Sequence, residues 1–138
     1  MEIYQDMFNS LTVPCFVLEP KAGQFLIRDA NKEYMNALAR RRKKLIGMCI
    51  SEVFPENPEH LGSGWEEIYN SLNRAFMNGE QVSIEALRYD MLIRETEEFE
   101  EAYWQIDTIP VKDETSGRVS YLLFVARDKT SEILEKMV

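Results

Sequence analysis

The chain contains few of the residues that hold secreted or metal-binding domains together. Among its 138 residues are two cysteines, Cys15 and Cys49, and one histidine, His60. Two isolated cysteines outside any CxxC pair form neither a disulfide framework nor a zinc site, so each is expected to be a small buried hydrophobic residue. Because a metal needs several convergent ligands, His60 is expected to have a surface or packing role, and no metal site is predicted.

Positive charge is also scarce, and long apolar runs are absent. Sixteen basic side chains face 24 acidic ones, which gives a net charge of -8 that repels phosphate backbones and anionic lipid headgroups. Neither nucleic acid nor direct membrane contact is therefore expected. The N-terminal "MEIYQDMFNS" lacks the basic flank and apolar run of a signal peptide, and no window approaches the length of a membrane-spanning helix. These features predict a cytoplasmic protein, or a cytoplasmic part of one.

No motif for catalysis is present. The sequence lacks a glycine-rich phosphate loop, a GxSxG, an HExxH and a second histidine that could orient a base. We therefore expect no enzymatic activity from this chain. The glutamate-rich run from Glu95 to Glu101 and the basic run from Arg40 to Lys44 are expected to be solvated, since neither defines a ligand site.

Apolar periodicity predicts an α+β domain with one antiparallel sheet. Ile3, Met7 and their neighbours recur at helical spacing, which predicts an amphipathic helix over residues 1–12. The elements predicted next are two strands joined by a turn at 21–23, a helix for which Asp29 and Asn31 are both candidate N-caps, and one-turn helices around 45–54. A long helix from a capping box at Ser63 and Glu66 to Gly79 follows. The remaining predicted elements are a long strand from Val82 through "LRYDMLI", a solvated loop, and strands at 102–111 and 118–127.

The last predicted strand is apolar on both faces. Its residues from Tyr121 to Ala126 alternate between the faces, and almost all of them are apolar. Since an antiparallel sheet normally exposes one face to water, this sheet needs a cover on each side. Helices from the middle of the chain can cover one face, and the N-terminal helix or a second copy of the chain can cover the other.

The order of these segments resembles a PAS domain, the sensory module common in bacterial signalling proteins. The matching segments are "DANKEYMNALARRRKKLIGMCISEVFP", "LRYD" and "EAYWQIDTIPVKDETSGRVSYLLFVARDKT", and together they cover nearly the whole chain. They are most similar to PAS modules of two-component sensor histidine kinases. The resemblance implies a five-stranded antiparallel sheet with helices packed on one face. It divides the chain into a capping helix (1–12), a PAS domain (13–128) and the start of a signalling helix (129–138).

The resemblance also implies a function and a pair of signal-transfer residues. A ligand or partner state would be coupled through Asp128 and Thr130 to the output helix and to a downstream kinase or output domain outside this chain. Lys129 departs from the aliphatic residue usual between them. The alternative is a ligand-free dimerisation or protein-interaction module. A homodimer is expected, with its candidate interface at Ile3, Met7, Trp104, Tyr121 and Leu123.

Strand alternation and the family's habit place a ligand between the inner sheet face and the central helices, although a filled hydrophobic core is the alternative. If Arg88 and Gln105 face inward, a small polar or carboxylate ligand is favoured, because a buried guanidinium needs a partner. The predicted lining residues are Met35, Leu38, Met48, Ile84, Ala86, Arg88, Gln105, Leu122 and Phe124.

The sequence does not identify a cofactor, but it argues against two kinds. A haem-binding relative would need a histidine on the helix that faces the sheet, and residues 65–78 contain none. Photosensing relatives use a cysteine within a polar motif that adds to a flavin, and "GMCISEVF" around Cys49 lacks the arginine and glutamine companions. Histidine-ligated haem and covalent flavin photochemistry are therefore not expected.

Overall fold

The structure is a computed structural model, which describes residues 2–34, 42–54, 56–60, 64–93 and 96–137. Residues 32–34 are helical. The further helices are α1 (Glu2–Ser10), α2 (Arg42–Leu45), α3 (Ile50–Val53), α4 (Gly64–Asn78) and α5 (Thr130–Lys136). The strands are β1 (Cys15–Lys21), β2 (Gln24–Ala30), β3 (Val82–Arg88), β4 (Met91–Ile93), β5 (Glu98–Glu100), β6 (Tyr103–Lys112) and β7 (Val119–Asp128). No helix in these ranges is long and apolar enough to cross a membrane.

Five of the strands form one antiparallel sheet in the order β2-β1-β7-β6-β3. The predicted α+β class and five-stranded sheet are therefore confirmed. The first hairpin turns at Ala22 and Gly23, which both have positive φ (52° and 79°). Such a two-residue turn matches the twist of the flanking strands, and glycine adopts it at little cost.

The inner face of the sheet carries the main hydrophobic core. Ile68, Leu72 and Ala75 of α4 are buried on it, together with Phe16 of β1 and Phe124 of β7. The ring of Phe16 also stacks on Tyr34, with 3.7 Å between the centroids. The predicted long helix is thus confirmed, and its apolar stripe covers this face; its predicted cap at Ser63 lies outside the described residues.

The outer face is covered in part by α1. Phe8 is buried there with Cys15 and Val125, and Leu123 packs against this cluster. Other apolar side chains of α1 stay exposed, with Ile3 at 76% and Met7 at 67%. The N-terminal helix therefore provides one of the two predicted covers but leaves an apolar strip facing outward.

The single long strand predicted after Gln81 is wrong, and the predicted loop, although its described residues are mostly exposed, contains a short strand. The strand stops at Arg88, and a separate small hairpin of β4 and β5 follows, in which Met91 pairs with Glu100. The physical reason is that Tyr89 and Asp90 are both buried at the break. The backbone N–H of Tyr89 donates to the carbonyl of Ala102 at 2.9 Å. This contact holds the end of β3 beside the residues that precede β6.

Asn31 connects the segment between α1 and β1 to the helical turn at 32–34. Its buried side-chain oxygen accepts hydrogen bonds from the backbone N–H groups of Cys15 (3.0 Å) and Tyr34 (3.2 Å). Its amide donates to the carbonyl of Val13 at 2.8 Å. One side chain therefore caps the helical turn at 32–34, as predicted, and also holds the segment that connects α1 to β1.

We predict that Asn31→Ala lowers the free energy of unfolding by about 2–4 kcal/mol, because it orphans buried backbone donors and an acceptor. Urea denaturation measures the change. Asn73→Ala, at an exposed position of α4, is the matched control and is expected to change the free energy by less than about 0.5 kcal/mol. Equal effects in the two variants would show that Asn31 does not have this structural role.

Candidate functional site

An apolar cavity of about 40 Å³ lies between the inner sheet face and the helices. Its surface is almost entirely carbon, and no charged residue of the described ranges lines it. The volume exceeds the roughly 10–15 Å³ that one water needs, but the apolar lining offers a water almost no hydrogen-bond partner. The described lining residues are Pro14, Tyr34, Phe54, Ile68, Tyr89, Met91, Trp104, Ile106, Phe124 and Ala126.

The predicted inward direction of Ala86 is wrong because of a bulge in β3. The register of β3 against β6 shifts between Ile84 and Leu87. The extra residue reverses the alternation, so that Leu87 is buried in the core and Ala86 is exposed. Ile84, which precedes the shift, is half-buried against the core as predicted.

The two faces of β6 are also the reverse of those predicted. Trp104 was expected on the outer face, yet it lines the interior cavity, and its indole N–H donates to the carbonyl of Tyr89 at 3.0 Å. Gln105 was expected to face inward, yet its amide donates to Asp107 at 3.3 Å. Asp107 is in turn paired with Arg127 at 2.7 Å, outside the core. Trp104 is therefore removed from the predicted dimer interface, and Gln105 from the predicted pocket.

The other predicted pocket residues lie in several different places. Phe124 lines the cavity, whereas Leu122 and Met48 belong to the core around it. Met35 and Leu38 fall outside the described residues. The cavity is therefore built in large part from residues that were not predicted, including Phe54, Met91 and Tyr89.

Arg88 does not present a free guanidinium to the cavity. It forms two hydrogen bonds with the carboxylate of Asp90, at 3.0 and 3.2 Å. Asn57 donates a third hydrogen bond to the same carboxylate at 2.8 Å. The anionic partner expected for Arg88 is therefore a residue of the same chain, and the cluster ties the loop at 56–60 to the end of β3.

The ionisation of Asp90 depends on this cluster. Burial is the largest single influence on its pKa and raises it. The hydrogen bonds from Arg88 and Asn57, the charge of Arg88 and a hydrogen bond from the Ala102 backbone together outweigh burial, so the pKa lies below the ordinary value of 3.8. Asp90 is thus a buried, ionised and fully engaged carboxylate.

Tyr89 connects this cluster to the cavity. Its ring lines the cavity, and its hydroxyl donates to the carbonyl of Phe54, whose ring lies edge-on at 6.3 Å. Burial raises the pKa of Tyr89 well above its usual range, so the hydroxyl stays a donor. The "LRYD" segment contains Arg88, Tyr89 and Asp90 and was therefore a usable signal, but strand alternation alone did not identify Tyr89.

A small hydrogen-bond network connects the start of α5 to the ends of β6 and β7. The hydroxyl of Thr130 accepts from the backbone N–H of Tyr103 at 3.0 Å, and the N–H of Lys129 donates to the carbonyl of Tyr103 at 2.8 Å. Asp128, the last residue of β7, accepts from the N–H of Thr130 at 2.9 Å. The structure thus brings Asp128 and Thr130 together with β6 at the start of α5.

The cysteines and the histidine lie outside the cavity. Cys15 is buried under α1, and burial, followed by the charge of Asp29, raises the pKa of its thiol to about 12. Cys49 lines a different pocket at the surface, and His60 lies beside Asp90 in a small polar cleft. Within the described ranges, no group of three His, Cys, Asp or Glu side chains is placed to hold a metal ion.

The strand order, the apolar cavity and the hydrogen bonds that attach α5 to the sheet together indicate the class of α+β domain to which the chain belongs. The PAS fold family model matches residues 8–133. The chain therefore belongs to the PAS fold family. A comparison with curated proteins finds no match.

Solved structures show the same fold at low sequence identity. An RNA-binding light-oxygen-voltage receptor is 16% identical with a TM-score of 0.71, covering 99% of this chain and 36% of the receptor. A PAS domain from Colwellia psychrerythraea is 16% identical with a TM-score of 0.65, covering 94% and 97%. The Rhodobacter sphaeroides LOV protein is 14% identical with a TM-score of 0.65, covering 92% and 65%. The chain thus spans about a third of the first protein.

We predict that Arg88→Met lowers the free energy of unfolding by about 1–3 kcal/mol at neutral pH, because it leaves the buried Asp90 carboxylate without its charged partner. The pKa of Asp90 rises in the variant. The stability difference from wild type therefore shrinks as pH falls toward and below the ordinary aspartate value of 3.8, where both folded proteins become protonated.

Urea denaturation over this pH range measures the effect. Arg74→Met, at an exposed arginine of α4, is the control and should change stability little at any pH. A stability difference for Arg88→Met that stays constant with pH would contradict the proposed coupling to Asp90.

Proposed function

We propose that this chain is a sensory PAS domain of a bacterial signal-transduction protein, a cytoplasmic sensor histidine kinase, in which occupancy of the interior cavity is transmitted to α5. The chain itself supplies no catalysis, and the kinase or other output domain lies outside it. The observation that carries the proposal is that two strands which line the cavity also hold the start of α5. The net charge of -8 supports a role without nucleic acid or membrane contact.

The connection from cavity to helix is short. Ala126 lines the cavity and precedes Asp128 on β7 by two residues. Trp104 lines the cavity and pairs with Asp128 across the sheet. The neighbouring residue, Tyr103, forms the hydrogen bonds to Lys129 and Thr130. A displacement of either strand at the cavity therefore acts directly on the first turn of α5.

The lining of the cavity indicates the kind of ligand. Arg88 and Gln105, which would have favoured a carboxylate, are both engaged by aspartates outside the cavity. An uncharged, largely apolar ligand matches the remaining surface, since a charged group would lose its hydration without compensation. A ligand larger than a few atoms requires movement of adaptable side chains such as Met91.

We predict that Ala126→Val, which adds two methyl groups to the cavity wall, speeds amide hydrogen exchange in α5 several-fold while the sheet core keeps its protection. The reason is that crowding at the cavity strains the hydrogen bonds that hold Thr130. Hydrogen exchange of residues 131–136, followed by NMR or mass spectrometry, measures the change. The matched control is Ala86→Val, because Ala86 is exposed on β3.

A double variant tests whether the effect on α5 depends on the hydrogen bond between Thr130 and Tyr103. In a Thr130→Val background, which already lacks the hydroxyl contact to Tyr103, Ala126→Val should produce no further change in α5. Unchanged exchange of α5 in Ala126→Val, or an equal effect of Ala86→Val, would overturn the proposed coupling.

A second candidate function is ligand-free assembly through the outer face. It is favoured by the exposed apolar side chains of α1, among them Ile3 and Met7, and by Tyr121 at 39% exposure. Leu123 lies half-buried in the cluster under Phe8 and supports this surface from below. We infer that two copies pair here, with Trp104 excluded because it faces the cavity.

We predict that Met7→Glu weakens self-association at least tenfold, because a carboxylate would lose its hydration at the centre of the apolar strip. Sedimentation velocity over micromolar concentrations measures it. Met77→Glu is the matched control, since Met77 is similarly exposed, at 72% against 67%, but lies on α4. A wild-type protein that stays monomeric at high micromolar concentration would rule out this assembly.

A further inference from the structure

A second pocket lies at the surface, between the first hairpin turn and two helices. Gly23, Gln24 and Phe25 form one side, the start of α3 from Cys49 to Ser51 forms another, and Trp65 and Tyr69 of α4 complete it. We call it the turn pocket. We propose that the turn pocket binds an uncharged single-ring aromatic compound that carries a hydrogen-bond acceptor.

The volume of the turn pocket suits a single ring. It measures about 160 Å³, four times the interior cavity at about 40 Å³. An engineered apolar cavity of about 150 Å³ takes up benzene. The turn pocket therefore accepts a one-ring ligand without the side-chain movement that the interior cavity would need.

Three aromatic side chains shape the pocket. The ring centroids of Trp65 and Tyr69 are 6.2 Å apart, and those of Phe25 and Tyr69 are 5.8 Å apart in an edge-on arrangement. The hydroxyl of Tyr69 donates to the carbonyl of Gly23 at 3.0 Å, which fixes the wall to the hairpin turn. Fixed aromatic faces favour a flat aromatic ligand, because offset and edge-on ring contacts add to the energy of burial.

The rim of the pocket is polar but uncharged. The thiol of Cys49 donates to the side-chain oxygen of Gln24 at 3.1 Å, which leaves the amide N–H groups of Gln24 for a ligand acceptor. Burial, and then Glu52, raises the pKa of the Cys49 thiol, so it stays neutral at physiological pH. No described lining residue carries a charge, and the net charge of -8 repels anions. An uncharged acceptor, such as a carboxamide, therefore fits better than a carboxylate.

The two tryptophans allow a direct test on the 138-residue chain. Trp65 lines the turn pocket, whereas Trp104 lines the interior cavity. Benzamide is titrated into protein labelled with ¹⁵N-tryptophan, and the indole signals are assigned with Trp65→Phe and Trp104→Phe. We expect a saturable shift of the Trp65 signal, with a dissociation constant on the order of 1 mM for so small a ligand, and no matching shift of Trp104.

Two matched ligands test the chemistry. Benzoate, which has the same ring but a negative charge, and cyclohexanecarboxamide, which has the amide but no aromatic ring, should each bind at least tenfold more weakly than benzamide. Binding of either with the affinity of benzamide would overturn the proposed specificity. A saturable shift of Trp104 without one of Trp65 would also overturn it, because the interior cavity would then be the site.

Two matched variants test the location. Ser51→Phe places a ring in the pocket from an exposed position and should abolish the Trp65 shift, while Ser131→Phe, exposed on α5, should leave it unchanged. A Trp104 signal at its wild-type position in both ligand-free variants confirms that they are folded. Benzamide binding that survives Ser51→Phe, or a Trp65 signal that never shifts up to the solubility limit of benzamide, would contradict the proposal.

Discussion

The structure depends on one constraint, which is that its sheet is apolar on both faces and must be covered on both. On the inner face Leu122 and Phe124 pack against α4, and on the outer face Val125 packs against Phe8 of α1. Part of the outer cover is therefore provided by α1, through the buried ring of Phe8. The side chain of Asn31 supports this arrangement, because it joins the segment between α1 and β1 to the helical turn at 32–34.

The same constraint explains why the cavity is connected to the start of α5. The ten-residue strands β6 and β7 carry the inner lining, and their ends hold the first residues of α5. Packed interiors have low compressibility, so a change of volume at the inner face is taken up by movement of elements rather than by local compression. In the described part of the chain, α5 has no buried residue, and its attachment is therefore concentrated in the hydrogen bonds around Thr130.

The sequence was sufficient to predict most elements but not the direction of several side chains. Turns at Gly23 and Gly117, the stripe of α4 and the two-faced last strand follow from local chemistry, and all of them are confirmed. Alternation divides a strand into two faces without saying which face is inner. The predicted faces of Trp104 and Gln105 are for this reason the reverse of the observed ones. A bulge such as the one after Ile84 arises from pairing with β6, and no local signal marks it. The partner of Arg88 is Asp90, two residues further along the chain, and this short-range pair was not considered when a ligand was predicted beside Arg88.

Charged residues and pocket residues occupy different parts of the structure. Arg88 pairs with Asp90 at the end of β3, Arg127 pairs with Asp107 outside the core, and each pair fixes a strand or loop. Both pockets, in contrast, are lined by uncharged residues in the described ranges. An ion pair needs its two partners in one geometry, and a charged ligand would compete with that geometry. The proposed binding of uncharged molecules would leave these pairs intact, and so would not disturb the contacts that hold the strands and loops in place.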